Sequence, residues 1–100
     1  SLYENKKMKT DRAVAANALK LAAARLPEIA EWNNENLFES LKVLAAENGL
    51  KNGQILYPLR IALSGRETTA GGATEIAAVL GRQETLARIA AASAKLGAEA

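Results

Sequence analysis

The residue types that most often carry out catalysis are scarce in this sequence. Its 100 residues include no histidine and no cysteine, which excludes Ser-His-Asp and Cys-His catalytic sites and thiolate metal sites. Glu31 and Glu35 lie one helical turn apart and have the types of an acid/base pair, but carboxylates at this spacing are usually solvated charges on a helix surface. Neither GxxxxGKS/T nor GxGxxG occurs, so no nucleotide-binding fingerprint is present. We therefore expect this chain to carry no catalytic site of its own.

One pair of side chains has types and spacing suited to binding. Tyr57 and Arg60 flank Pro58-Leu59, and residues three apart share one face of a helix. A planar ring beside a planar guanidinium can stack on an unpaired base and hydrogen-bond to its edge. A buried tyrosine next to a solvent-facing arginine fits the same pattern, and the residues alone favour that simpler interpretation.

Two further features bear on nucleic acid. Gly71-Gly72 stands just before a predicted helix, where backbone N–H groups can hold a phosphate, although glycine pairs mostly just permit turns. The net charge is only +2, which argues against a protein that grips nucleic acid by electrostatics alone. It leaves open a module that contacts a few unpaired bases and takes further affinity from a larger enzyme.

Helix-forming residues dominate the composition, and apolar residues recur at helical spacing. We therefore predict an all-α fold, a small bundle of about five to six helices. The predicted boundaries are a first helix from about Asp11 to Leu26, a short piece begun by Pro27, a helix through Leu37–Ala45 ended by Asn48-Gly49, a helix over Thr74–Leu80 closed by Gly81, and a last helix over Gln83–Leu96 ended by Gly97. Trp32 is expected to anchor the core between the first helices.

The segment around Pro58 is ambiguous. Two short strands on either side of the proline fit its apolar residues, and so does a single helix, because periodicity cannot decide over so short a run. Ile55, Leu59 and Leu63 recur every four residues, and Gly65 follows as a stop signal. We therefore predict a helix from about Asn52 to Leu63.

Three segments, in order, resemble bacterial glutamate–tRNA ligases. Residues 49–65 resemble that family's G-L-K-x-G-x-x-x-x-P-L-R-x-A-L-S/T-G stretch. Residues 68–76 resemble its Thr-Pro-Gly loop and short helix, and residues 80–89 resemble its L-G-K-x-E-x-L-x-R-L/I ending. With looser similarity upstream, the resemblance covers about residues 5–89.

The resemblance implies an all-helical anticodon-binding region at the C-terminus of a class I ligase. In that family the arginine of P-L-R, which matches Arg60, contacts an anticodon base, and the residue before the proline, here Tyr57, also faces the anticodon. The family's Thr-Pro-Gly matches Thr69, Ala70 and Gly71, with alanine in place of proline. The implied anticodon-binding residues are Tyr57, Arg60, Arg66, Thr69, Ala70 and Gly71.

The resemblance also implies the organisation and partners of the protein. Residues 1–100 are expected to form the anticodon-binding region, with one helical part at about 9–48 and a second at 49–97. The partner is the glutamate tRNA, with glutamine isoacceptors left open, and no DNA or membrane is expected. The parent is expected to be a monomeric, cytoplasmic enzyme that uses ATP and magnesium, neither of which binds to this part. The alternative is a helical protein-interaction module without nucleic acid binding.

Overall fold

The chain folds into helices that pack around one shared core. The computed structural model describes residues 12–65 and 71–99, and within these ranges it contains five α-helices, one 3₁₀ turn and no strand. The elements are α1 (Arg12–Arg25), the 3₁₀ turn (Leu26–Glu28), α2 (Asn34–Glu47), α3 (Asn52–Ser64), α4 (Ala73–Leu80) and α5 (Arg82–Glu99). The predicted all-α fold is confirmed.

Small side chains let α1 pack closely against its neighbours. Ala15, Ala18 and Ala22 are completely buried, and α1 contacts both α3 and α5. Alanine buries little area by itself, so its value here is that it allows helix axes to approach. Leu19 and Leu26 are also fully buried and add the larger apolar surface. Pro27 lies in the first positions of the 3₁₀ turn, where a missing N–H costs no hydrogen bond.

Polar residues define both ends of α2. The side chain of Asn33 accepts a hydrogen bond from the backbone N–H of Asn36 at 2.8 Å, which caps the helix start. At the other end, Gly49 takes a left-handed conformation with φ of 67°, and the N–H of Leu50 donates to the carbonyl of Ala45 at 2.8 Å. This arrangement satisfies carbonyls that the helix leaves unpaired. The helix end predicted at Asn48-Gly49 is confirmed.

The segment around Pro58 is a single helix rather than a pair of strands. Helix α3 runs from Asn52 to Ser64 with Pro58 inside it. Pro58 is almost completely buried. The apolar packing of α3 therefore outweighs the hydrogen bond that proline cannot donate. The helix ends at Gly65, which has φ of 75° and whose N–H donates to the carbonyl of Ile61 at 2.7 Å.

Replacing Gly65 by alanine should lower the free energy of unfolding by about 1–2 kcal/mol, because a left-handed conformation strains any residue that has a Cβ. A Cβ at this position would meet no atom within 4 Å, so strain is the whole effect. Urea unfolding measures it. Gly65→Asn is the matched control and should lose less, because asparagine tolerates this conformation. Equal losses for the two variants would contradict the explanation.

Helices α4 and α5 are joined at Gly81, which has φ of 85°. The stop predicted at Gly81 is confirmed. The predicted end of the last helix is wrong, because α5 continues through Gly97 to Glu99. A single glycine lowers helix propensity without forcing a helix to end.

Trp32 makes contacts with α4 and α5 that the sequence did not predict. Its ring Nε1 donates to the carbonyl oxygen of Ala77 in α4 at 2.9 Å, and the guanidinium of Arg82 lies 5.4 Å from the ring centroid. Arg82 also donates to the carbonyl of Ile29. The half-buried Trp32 packs against the hydrophobic core, as expected, and it also ties the segment before α2 to the α4–α5 junction.

The carbonyl oxygen of Ala77 accepts three hydrogen bonds at this junction. Besides Trp32, it accepts from the backbone N–H of Gly81 at 3.0 Å and from the hydroxyl of Thr85 at 3.3 Å. Thr85 is completely buried, so its hydroxyl needs a partner inside the protein. One oxygen near the end of α4 thus connects this helix to the segment before α2 and to α5.

Candidate nucleic-acid interface

Helix α3 buries two opposite faces. Ile55, Leu59 and Leu63 belong to the main hydrophobic core. Since an α-helix turns about 100° per residue, Tyr57 and Ile61 lie on the other side of the helix, and they are buried as well. Arg60 lies next to that second face and is half-buried. Two-sided burial fixes the rotation of α3, and with it the position of Arg60.

Tyr57 is only 3 % exposed. A ring that stacks on a base must present one face to the nucleic acid, and in this conformation Tyr57 has almost no surface to offer. The structure agrees with the simpler of the two interpretations of Tyr57, in which the tyrosine packs inside the protein. Stacking by Tyr57 stays a prediction, and it requires the neighbouring groups to move aside.

Arg60 differs from the solvent-facing arginine that the simpler interpretation assumes. The residue is half-buried, and its Nε is withdrawn from solvent. The hydroxyl of Ser64 donates to the Arg60 carbonyl oxygen at 2.7 Å, so the serine of the L-S/T-G motif braces the turn that carries the arginine. A guanidinium keeps its charge and its planar set of donors in such a site.

Of the residues expected to act from the loop after α3, the structure describes Gly71. Arg66, Thr69 and Ala70 lie outside the described residues. Gly71 is half-buried, and a Cβ added to it would lie 3.5 Å from the Glu75 Cβ, an ordinary contact. The structure therefore does not require glycine at position 71 for lack of space.

Glu75 occupies the position where an anion would bind at the start of α4. Its Oε1 accepts a hydrogen bond from the backbone N–H of Gly72 at 3.3 Å. A carboxylate there interacts favourably with the helix dipole, and it would repel a phosphate. The possibility that Gly71-Gly72 cradles a phosphate thus loses support.

Arg88 is a residue of this region whose contacts sequence reasoning did not foresee. From α5, its Nη1 donates to the carbonyl oxygen of Leu63 at 2.6 Å, while its Nε donates to Glu84 Oε1 at 2.9 Å. Glu84 and Arg88 are the E and R of the third motif, and their i, i+4 spacing predicts an ion pair. Spacing alone carries no sign that the arginine also reaches α3.

Among residues 12–65 and 71–99, no three Asp or Glu side chains come close enough together to hold a metal ion. In the same part of the chain, no helix has the length and apolar character needed to cross a bilayer.

Comparison with known proteins defines the class of this chain. The model of the family described as "Anticodon binding domain" matches residues 1–93. The chain belongs to this family, and its all-helical fold agrees with that membership.

The particular relatives are glutamate–tRNA ligases. The chain is 44 % identical to the enzyme of Clostridium tetani over 88 residues, and 40 % identical to that of Clostridium acetobutylicum over 88 residues. It is 42 % identical to that of Lachnoclostridium phytofermentans over 96 residues. These alignments cover 88 %, 88 % and 96 % of the chain but only 18 %, 18 % and 20 % of the relatives. The resemblance to glutamate–tRNA ligases is confirmed, and the chain spans about a fifth of their length.

The comparison with solved structures gave no significant match.

Proposed function

We propose that this chain binds the anticodon of a tRNA as one part of a glutamate–tRNA ligase. The observation that carries the proposal is the family match over residues 1–93. Arg60, on a helix whose two faces are both buried, is the residue that we propose contacts a base. Within the chain, the second helical part, 49–97, would carry the contacts.

Arg60 suits this role physically. Its guanidinium is permanently charged and planar, so it can donate two parallel hydrogen bonds to a base edge or stack on a base. Partial burial limits the orientations that the side chain can adopt, and less entropy is then lost when a base binds. Thr69, the backbone of Ala70 and Gly71, and Arg66 are proposed as further contacts from the loop.

The proposed parent activity is the attachment of glutamate to tRNA with ATP. The names of the relatives support it, and the catalytic part would lie in the four fifths of their length that this chain does not match. We propose that the ATP and magnesium sites also lie in that other part. We further propose that the parent acts as a monomer in the cytoplasm on glutamate tRNA, with glutamine tRNA as the alternative second substrate.

A titration of the 100-residue chain with a tRNA anticodon stem-loop, at two salt concentrations, tests the proposal. We expect saturable binding with a shallow salt dependence, because the net charge is only +2 and few phosphates can be neutralised. A stem-loop of the same stem with a scrambled loop is the control and should bind more weakly. A duplex DNA of equal length should not compete.

Two outcomes would contradict the proposal. Equal affinity for the scrambled loop would mean that the chain contacts only the backbone. No binding to any nucleic acid would favour a protein-interaction module.

A further inference from the structure

The last turn of α3 is held by side chains as well as by its own helix. Arg88 donates to the Leu63 carbonyl from α5, and Ser64 donates to the Arg60 carbonyl within α3. The N–H of Gly65 donates to the Ile61 carbonyl. Helix C-termini normally leave several carbonyls without partners in the helix. Here one of these carbonyls, that of Leu63, is held by a neighbouring helix.

Arg88 makes this connection with two donors at fixed angles. Its Nε bonds to Glu84, one turn earlier on α5, and its Nη1 bonds to Leu63. The guanidinium is rigid and planar, so fixing one donor on α5 also fixes the direction of the other. A lysine has a single flexible ammonium group and cannot reproduce this geometry.

We infer that Arg88 is a positioning residue for anticodon binding, acting through the end of α3 on Arg60. The inference rests on the proposed function, since it requires Arg60 to contact a base. Arg60 lies one turn before Ser64, so a shift of this turn relative to α5 moves the guanidinium directly. Small displacements of a recognising group reduce specificity strongly, because hydrogen bonds to a base edge need close alignment.

The ion pair with Glu84 does not by itself explain the placement of Arg88. Its side chain is 42 % exposed and that of Glu84 is 52 % exposed. Exposed ion pairs contribute little to folding stability. Arg88 also donates from α5 to the Leu63 carbonyl, in the turn of α3 that follows Arg60.

The test compares the affinity of the 100-residue chain for the cognate stem-loop with its affinity for stem-loops altered at single anticodon bases. Arg88→Met should lower this ratio by up to about tenfold. Arg88→Lys should give a ratio between those of Arg88→Met and the unaltered chain. Glu84→Gln should lower the ratio less than Arg88→Met does. Thermal unfolding of each variant, measured in parallel, reports any general loss of structure.

Arg25→Met is the matched control. Arg25 is likewise a partly exposed arginine paired with carboxylates, 2.5 Å from Glu47 and 3.8 Å from Glu28, but its pairs join α1 to α2 and to the 3₁₀ turn. We expect Arg25→Met to leave the ratio unchanged. If it lowers the ratio as much as Arg88→Met does, Arg88 acts only through general stability and the inference is overturned.

Arg60→Ala separates this inference from the proposed function. We expect Arg60→Ala to lower the ratio, and Arg88→Met to lower it no further in the Arg60→Ala background. If Arg60→Ala lowers the ratio but Arg88→Met does not, the inference fails and the proposed function stands. If Arg60→Ala leaves the ratio unchanged, the inference and the role of Arg60 fail together. Loss of all stem-loop binding by the unaltered chain would overturn the proposed function itself.

Discussion

Arg60→Ala is expected to weaken binding of the cognate tRNA by about 1–3 kcal/mol, and to weaken it only when the contacted anticodon base is present. The reason is that a guanidinium donates two hydrogen bonds to one base edge, and alanine leaves that edge unpaired. The measurement is the dissociation constant for a set of tRNAs, each altered at one anticodon base. For the tRNA in which the contacted base is altered, the unaltered protein and Arg60→Ala should have equal dissociation constants.

The salt dependence distinguishes a base contact from a phosphate contact. Loss of a base contact leaves the slope of affinity against salt unchanged, whereas loss of a phosphate contact reduces it. Arg60→Lys keeps the charge and removes the planar fork, so it should discriminate nearly as poorly as Arg60→Ala. If both variants bind all tRNAs as the unaltered protein does, Arg60 makes no contribution to anticodon recognition. If affinity falls equally for every anticodon, Arg60 contacts the phosphate backbone of the tRNA rather than a base.

Trp32→Ala is expected to lower the free energy of unfolding by about 2–3 kcal/mol, less than for a fully buried tryptophan because the ring is only half-buried. The substitution removes the ring from the core, the hydrogen bond to Ala77 and the contact with Arg82. Urea unfolding measures the loss. Under conditions where the variant remains folded, discrimination between anticodons should be unchanged, because α3 makes none of these contacts.

Two further variants divide the Trp32 effect into its parts. Trp32→Phe keeps a ring but removes the Nε1 donor, and the Ala77 oxygen retains Gly81 and Thr85 as donors. The expected loss is about 1 kcal/mol. Phe38→Ala is the control for removing an aromatic ring from an exposed position, because Phe38 is 38 % exposed. Phe38→Ala should lower the free energy of unfolding less than Trp32→Ala does. An equal decrease would contradict the position assigned to Trp32.

Sequence patterns predicted most of the helices but not how they connect. Gly49, Gly65 and Gly81 end helices where predicted, because a positive φ is a local requirement that glycine meets without strain. Gly97 carries the same signal without that outcome, since the signal is only a propensity. The partners of Trp32 could not be predicted, because Ala77 and Arg82 are more than 40 residues away in sequence and composition does not specify such distances.

The candidate site was predictable in part. Motif similarity drew attention to Arg60, but its partial burial depends on how α3 is rotated, which the sequence leaves open. Tyr57 and Arg60 share a helix face by spacing, yet one is buried and the other half-buried. That difference comes from tertiary packing, which the spacing of the two residues in the sequence does not specify. The contact from Arg88 to Leu63 was missed because a backbone carbonyl has no sequence signature.

The small side chains of the alanines in α1 determine how closely the neighbouring helices can approach it. Alanine has no rotamers, so α1 cannot adapt to a neighbour by turning its side chains. Any larger residue at Ala15, Ala18 or Ala22 would have to push the neighbouring axes apart, since close-packed interiors hold few voids. One of those axes belongs to α3, which carries Arg60. Ala15, Ala18 and Ala22 thus act as spacers between helices, and their small size helps to set the position of α3 and of the arginine that it carries.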